Sequence, residues 1–137
     1  MDFLPDLVVD TSALVAILLP EADGPLYLDR LETAHCAAVS SVSKVELMMV
    51  LYSRQPASAE ALLTRLRNNV SLSVVAVDEL IADSAIAAFL RYGKGRHPAK
   101  LNFGDCFSYA LAKRFDAPLL FKGDDFSQTD IRSAFTP

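Results

Sequence analysis

Apolar and polar positions fall along this chain in alternating blocks. Leu7 to Val9 form a short apolar run that stops at Asp10; Thr11 and Ser12 follow as a polar turn, and the apolar segment Ala13 to Leu19 runs up to Pro20. That order predicts strand, turn and helix. Gly24 to His35 sets Leu26, Leu28 and Leu31 among charges, as a helix would. Cys36 to Val39 suits a second strand, and Ser40 or Ser41 can cap the helix that follows. Val42 to Tyr52 is mainly apolar, with Lys44 and Glu46 as its charged positions, which predicts a largely buried helix. Ala57 to Asn69 has helical spacing through Ala61, Leu62 and Leu66. Valine-rich Leu72 to Val77 predicts a third strand ending at Asp78, the cap of a long amphipathic helix through Ile81, Ala85, Phe89 and Tyr92. After a basic, Gly- and Pro-punctuated loop at Gly93 to Lys100, Gly104 to Phe115 reads as helix and Pro118 to Lys122 as a fourth core strand. The tail leaves room for an edge strand.

Short continuous apolar strands separated by helices specify an α/β fold. The expected sheet is parallel, has four to five strands, and is covered by helices on both faces. The 137 residues fit one domain, 1–137, with neither a linker nor an internal repeat. With 52% hydrophobic and 22% charged residues the chain can build a core, which excludes the disordered classes. No apolar run is long enough to span a bilayer and the N-terminus lacks a basic signal region, so a soluble, cytoplasmic protein is expected. Cys36 and Cys106 stand far apart without zinc-type spacing and read as reduced thiols. The formal charge of −4 excludes a nucleic-acid binder that works through its global field, so any such contact needs a local basic patch.

The acids change the picture. Ligands of open parallel sheets bind beyond the carboxyl ends of the strands, where Asp10 and Asp124 or Asp125 fall. Asp105 is expected in the first turn of its helix, a position that favours a carboxylate. Glu46 sits among Val42, Met49 and Val50, and a buried carboxylate is costly without a cation. Oxygen-only ligands favour Mg2+, with Mn2+ as the other hard-ion choice, over zinc; His35 and His97 are better explained without metal. Each acid also has a structural explanation: a cap for Asp10 and Asp105, an arginine partner for Glu46, a turn for Asp124 and Asp125. The joint pattern of four acids at corresponding edges favours a metal site.

The segments VVDTSALVAILL, SVSKVEL, LNFGDCFSYALAK and LLFKGDDFSQTDI resemble the four signature blocks of VapC-type PIN domains, across nearly the whole chain. The resemblance implies a three-layer α/β/α sandwich, a homodimer, and a metal-dependent endoribonuclease toxin acting on structured tRNA or rRNA. It implies Asp10, Glu46 and Asp105 as catalytic, metal-binding acids. The last block varies in the family, so Asp124 and Asp125 compete for the fourth place, with Asp124 preferred as nearer the strand end. Thr11 and Ser12 match the hydroxyl pair after the first acid, and could contact a phosphate oxygen or serve only as an N-cap. A cognate VapB-like antitoxin is implied, and exposed Leu26, Leu28, Met48 and Tyr52 could serve its groove or the dimer, unless they pack in the core. Lys94, Arg96, His97 and Lys100, just upstream of Asp105, suit RNA phosphates but also fit a solvated loop.

Two other functions compete. A receiver-like domain would use Asp78 as phosphoacceptor and Lys122 after the last strand, but it leaves Glu46 unexplained. A PIN-like module could also keep its acids for binding or regulation without cleaving RNA.

Overall fold

The computed structural model describes residues 3–135. Four strands, β1 (Leu7–Val9), β2 (Ala37–Ser40), β3 (Leu72–Val75) and β4 (Leu119–Leu120), pair in parallel in the order β3-β2-β1-β4. The helices are α1 (Thr11–Leu18), α2 (Gly24–Glu32), α3 (Ser41–Arg54), α4 (Ala59–Asn69), α5 (Glu79–Tyr92) and α6 (Phe103–Phe115). Strand side chains point alternately to opposite faces, so each central strand feeds two cores. Leu7, Val9, Ala37, Val39 and Leu120 pack with α1 to α4, while Val8, Ala38 and Leu119 pack with α5, α6 and Phe126. This is the expected α/β/α sandwich, at the lower expected strand number. The tail adds a single bridge, Leu119 to Ser133, in place of an edge strand.

Three local differences from the sequence expectations have clear causes. The Asp10 side chain accepts from Ser12 N and caps α1, so Thr11 and Ser12 form the first helical turn instead of a polar turn before it. Ser40, of the two candidate serines, caps α3 by accepting from Ser43 N. Helix α3 is not largely buried: Ser43 and Leu47 and Leu51 face inward, but Val45 and Met49 are 59% and 69% exposed. Only one of its faces meets the sheet, so its apolar outer face must be explained by something other than this core.

Among the described residues no helix is long and apolar enough to cross a membrane. Cys36 and Cys106 are free thiols, as expected.

Candidate active site

Parallel strands end together, and three acids follow from that. Asp10 lies at the end of β1 and is 3% exposed, with every bond to it coming from a neutral donor. Its Oδ2 accepts from Ser12 N at 3.0 Å and Ser12 Oγ at 2.6 Å, and its Oδ1 accepts from Ser108 Oγ at 2.5 Å. Asp105 is the third residue of α6. It forms a capping box with Asn102, whose Oδ1 accepts from Asp105 N at 2.9 Å while Asp105 Oδ2 accepts from Asn102 N at 3.1 Å. Asp105 therefore caps the helix and faces the site, so the two explanations of it are compatible.

Glu46 is half-buried and its Oε1 accepts from Thr11 Oγ1 at 2.7 Å. Its carboxylate lies against the Cα of Gly104, where a Cβ would collide with both oxygens. Gly104 is thus required by close approach, and it brings Glu46 to the first turn of the helix that carries Asp105. Among the described residues, none of the ion pairs includes Asp10, Glu46, Asp105, Asp124 or Asp125. The arginine partner considered for Glu46 is not there.

Burial pushes the Asp105 carboxyl up to about 8; the Asn102 N–H opposes this, and the charges of Asp10 and Asp125 and a hydrogen bond with Asp125 add to it. Of the adjacent pair, Asp125 is the one whose charge bears on Asp105. The Asp124 carbonyl accepts from Ser127 N and Oγ in the turn that follows.

Acids crowded without a cation are suited to a hard divalent ion. Among the described residues no three acidic, imidazole or thiol side chains form a ready-made cage. Mg2+ commonly takes one or two carboxylates and completes its shell with water and substrate oxygens, so the Asp10 and Asp105 pair fits it.

The basic loop is mixed in its commitments. Lys94, Arg96 and Lys100 are exposed, and Lys94 lines a groove with Asn102 and Phe103 beside the start of α6. Arg96 Nε donates to Leu90 O at 3.1 Å. His97 is held inside the loop: Nδ1 accepts from Ala99 N at 3.0 Å and the ring stands edge-on to Tyr92. Asp78 accepts from Ile81 N as the cap of α5, and Lys122 Nζ is engaged by Glu21 and Asp23 at 2.5 and 3.0 Å. Sequence reasoning missed Asn102, Gly104 and Ser108. The S/T/D/N-x-x-D/E spacing of a capping box could have found Asn102; nothing local distinguishes Ser108.

Residues 7–132 match the PIN domain family. The chain belongs to the PIN-domain family. A VapC ribonuclease of Mycobacterium bovis is 46% identical over 133 residues, covering 96% of this chain and all of that relative. Two solved structures share the PIN fold. VapC20 of Mycobacterium tuberculosis, a toxin that cleaves the sarcin-ricin loop, has a TM-score of 0.74 at 19% identity and covers 91% of this chain and 95% of its own. VapBC2 from Rickettsia felis, bound to a promoter DNA fragment, has a TM-score of 0.72 at 12% identity, with 93% and 95% covered. This PIN domain is of the VapC type, and with that family the receiver-like reading of Asp78 and Lys122 falls.

Proposed function

We propose that this PIN domain is a metal-dependent endoribonuclease toxin, with Asp10, Glu46, Asp105 and a fourth acid as its catalytic set. The observation that carries the reading is the convergence of Asp10, Glu46 and Asp105 at one sheet edge without a cation among their partners. The relatives named VapC ribonuclease support the activity. In this reading Asp10 and Asp105 hold Mg2+, or Mn2+, by the oxygen lone pairs their hydrogen bonds leave free. An ion held there would supply a water of lowered pKa and would offset charge building on phosphorus. Glu46, steadied by Thr11, orients the attacking water. Asp125 takes the fourth place in preference to Asp124, because its charge is the one of the pair that bears on Asp105. Thr11 and Ser12 serve the acids and not the phosphate, since both hydroxyls already donate to carboxylates.

Lys94, Arg96 and Lys100 border the RNA path on this reading, and His97 shapes their loop. Structured tRNA or rRNA is the substrate class. A VapB-like antitoxin neutralises the site by charge complementarity, and the groove of Ile17, Leu18, Leu28, Leu62 and Val70 between α1, α2 and α4 suits its apolar residues. Of the other early-helix candidates, Leu26 and Tyr52 are exposed and Met48 packs on the core. A homodimer would cover the exposed Val45, Met49, Phe89 and Phe103.

The test is cleavage of total cellular RNA by the antitoxin-free protein with Mg2+, with EDTA and Asp10→Asn as controls and new 5′ ends mapped. Discrete cleavage lost in both controls is the expected result. No cleavage would favour a PIN-like binding or regulatory module, and cleavage that survives EDTA would refute the metal dependence.

A further inference from the structure

Resting on that reading of Asp10 as a metal ligand, we propose that Ser108 and Ser43 are positioning residues that orient the Asp10 carboxylate through a buried hydroxyl relay. Ser40, Ser43 and Ser108 are all at most 1% exposed. Ser40 Oγ lies 3.1 Å from Ser43 Oγ, Ser43 Oγ lies 3.3 Å from Ser108 Oγ, and Ser108 Oγ lies 2.5 Å from Asp10 Oδ1.

The direction of the chain follows from charge. A carboxylate only accepts, so Ser108 spends its single hydroxyl proton on Asp10. In the contact between the two serines, Ser43 must then donate to Ser108, and Ser40 in turn must donate to Ser43. All three dipoles point the same way, towards Asp10, an arrangement in which each bond polarises the next. At its far end, Ser40 Oγ also accepts from Ser43 N at 2.9 Å, which ties the relay to the start of α3.

A second branch reaches the other carboxylate oxygen. Lys122 N donates to Ser12 Oγ at 3.0 Å, and Ser12 Oγ donates to Asp10 Oδ2. Asp10 is therefore clamped from both sides by hydroxyls whose own acceptors are filled. The segments so joined are the ends of β1, β2 and β4 with the starts of α3 and α6, which between them carry all the candidate acids. Ser108 lies one turn beyond Asp105 on α6, so the helix presents a metal-binding carboxylate and the donor that aims a second one.

Removing the Ser108 hydroxyl leaves Asp10 Oδ1 without its donor, so that the carboxylate is held from the Ser12 side alone. The cost should appear in metal binding, in the range of about 10- to 100-fold expected when a ligand loses its orienting partner. We would titrate Mn2+ into the full-length wild type, Ser108→Ala, Ser43→Ala, the double variant, and Ser108→Cys, by calorimetry, beside kcat and KM for RNA. Ser108→Cys keeps the shape with a weak donor and stands in should the alanine variant fail to fold. We expect metal affinity and kcat to fall in Ser108→Ala with KM for RNA little changed, a smaller loss in Ser43→Ala, and a double variant no worse than Ser108→Ala, because the relay acts as a unit. A folded Ser108→Ala or Ser108→Cys that binds Mn2+ like the wild type overturns the proposal, as does a double variant whose losses simply add. If the wild type itself binds no Mn2+, the metal-site reading fails first, and the relay proposal falls with it.

Discussion

Replacing Asp105 by asparagine should make the metal-free protein more stable, although it destroys the candidate site. Burial, together with the neighbouring Asp10 and Asp125, holds the Asp105 carboxyl at about 8 in the folded chain, against an ordinary value of 3.8. Below 3.8 the carboxyl is protonated in both folded and unfolded chains and costs nothing. As pH rises through 3.8 the unfolded chain releases its proton and the folded chain does not, so stability falls by about 1.4 kcal/mol per pH unit until the folded carboxyl also titrates near 8. From 3.8 up to pH 7 the full effect would be about 4.4 kcal/mol. Asp105 keeps 8% of its surface in water, and screening there reduces this to about half, near 2.2 kcal/mol. The asparagine side chain keeps an oxygen to accept from Asn102 N, so the cap survives while the ionisation is removed. Thermal unfolding in EDTA should show the variant melting about 5 to 9 °C above the parent at pH 7, and nearly level with it near pH 4. Added Mg2+ should raise the parent's midpoint and not the variant's, because only the parent keeps the ligand pair. A metal-free variant no more stable than the parent at pH 7 would refute the claim that this carboxylate is held at a cost that a cation relieves.

Three further outcomes follow from the same geometry. Asp125→Asn should lower metal-dependent RNA cleavage at least about tenfold while Asp124→Asn leaves it within about twofold, and the reverse order would return the fourth place to Asp124. Gly104→Ala drives the Glu46 carboxylate out of place, so kcat should fall by about 100-fold with the fold retained by circular dichroism; undiminished cleavage would remove Glu46 from the mechanism. Lys94→Glu with Lys100→Glu should raise KM for RNA and flatten its salt dependence by about one to two units of slope, whereas an unchanged slope would mean that the loop is simply solvated.

The acid positions were readable because local rules place them. A short apolar run ending in Asp10 is a strand end in any parallel sheet, and the residue pattern after Asn102 puts Asp105 in a first helical turn. Boundaries were less readable where one side chain sets them: the Asp10 cap pulled Thr11 and Ser12 into α1, and the Ser40 cap fixed where α3 begins. The premise that singled out Glu46, a helix buried on all sides, does not hold. The carboxylate is notable for lying against Gly104 and Thr11 rather than for its apolar neighbours. Asp124 and Asp125 stand side by side in an irregular turn, where adjacent residues carry no periodic signal to separate them. Among its basic neighbours His97 gave no sign that its Nδ1 accepts from Ala99 N and so braces the loop from inside.

Element order, parallel pairing and the sheet edge that gathers the acids were written in the linear pattern, because burial and capping act over a few residues. Partnership across the fold was not. Ser108 meets Asp10 across 98 positions and Ser43 across 65, and serine in a buried helix has no composition or spacing that names its acceptor. Only packing α3 and α6 against the end of β1 brings those hydroxyls into line, and it is that long-range contact which turns separate acids into an oriented site.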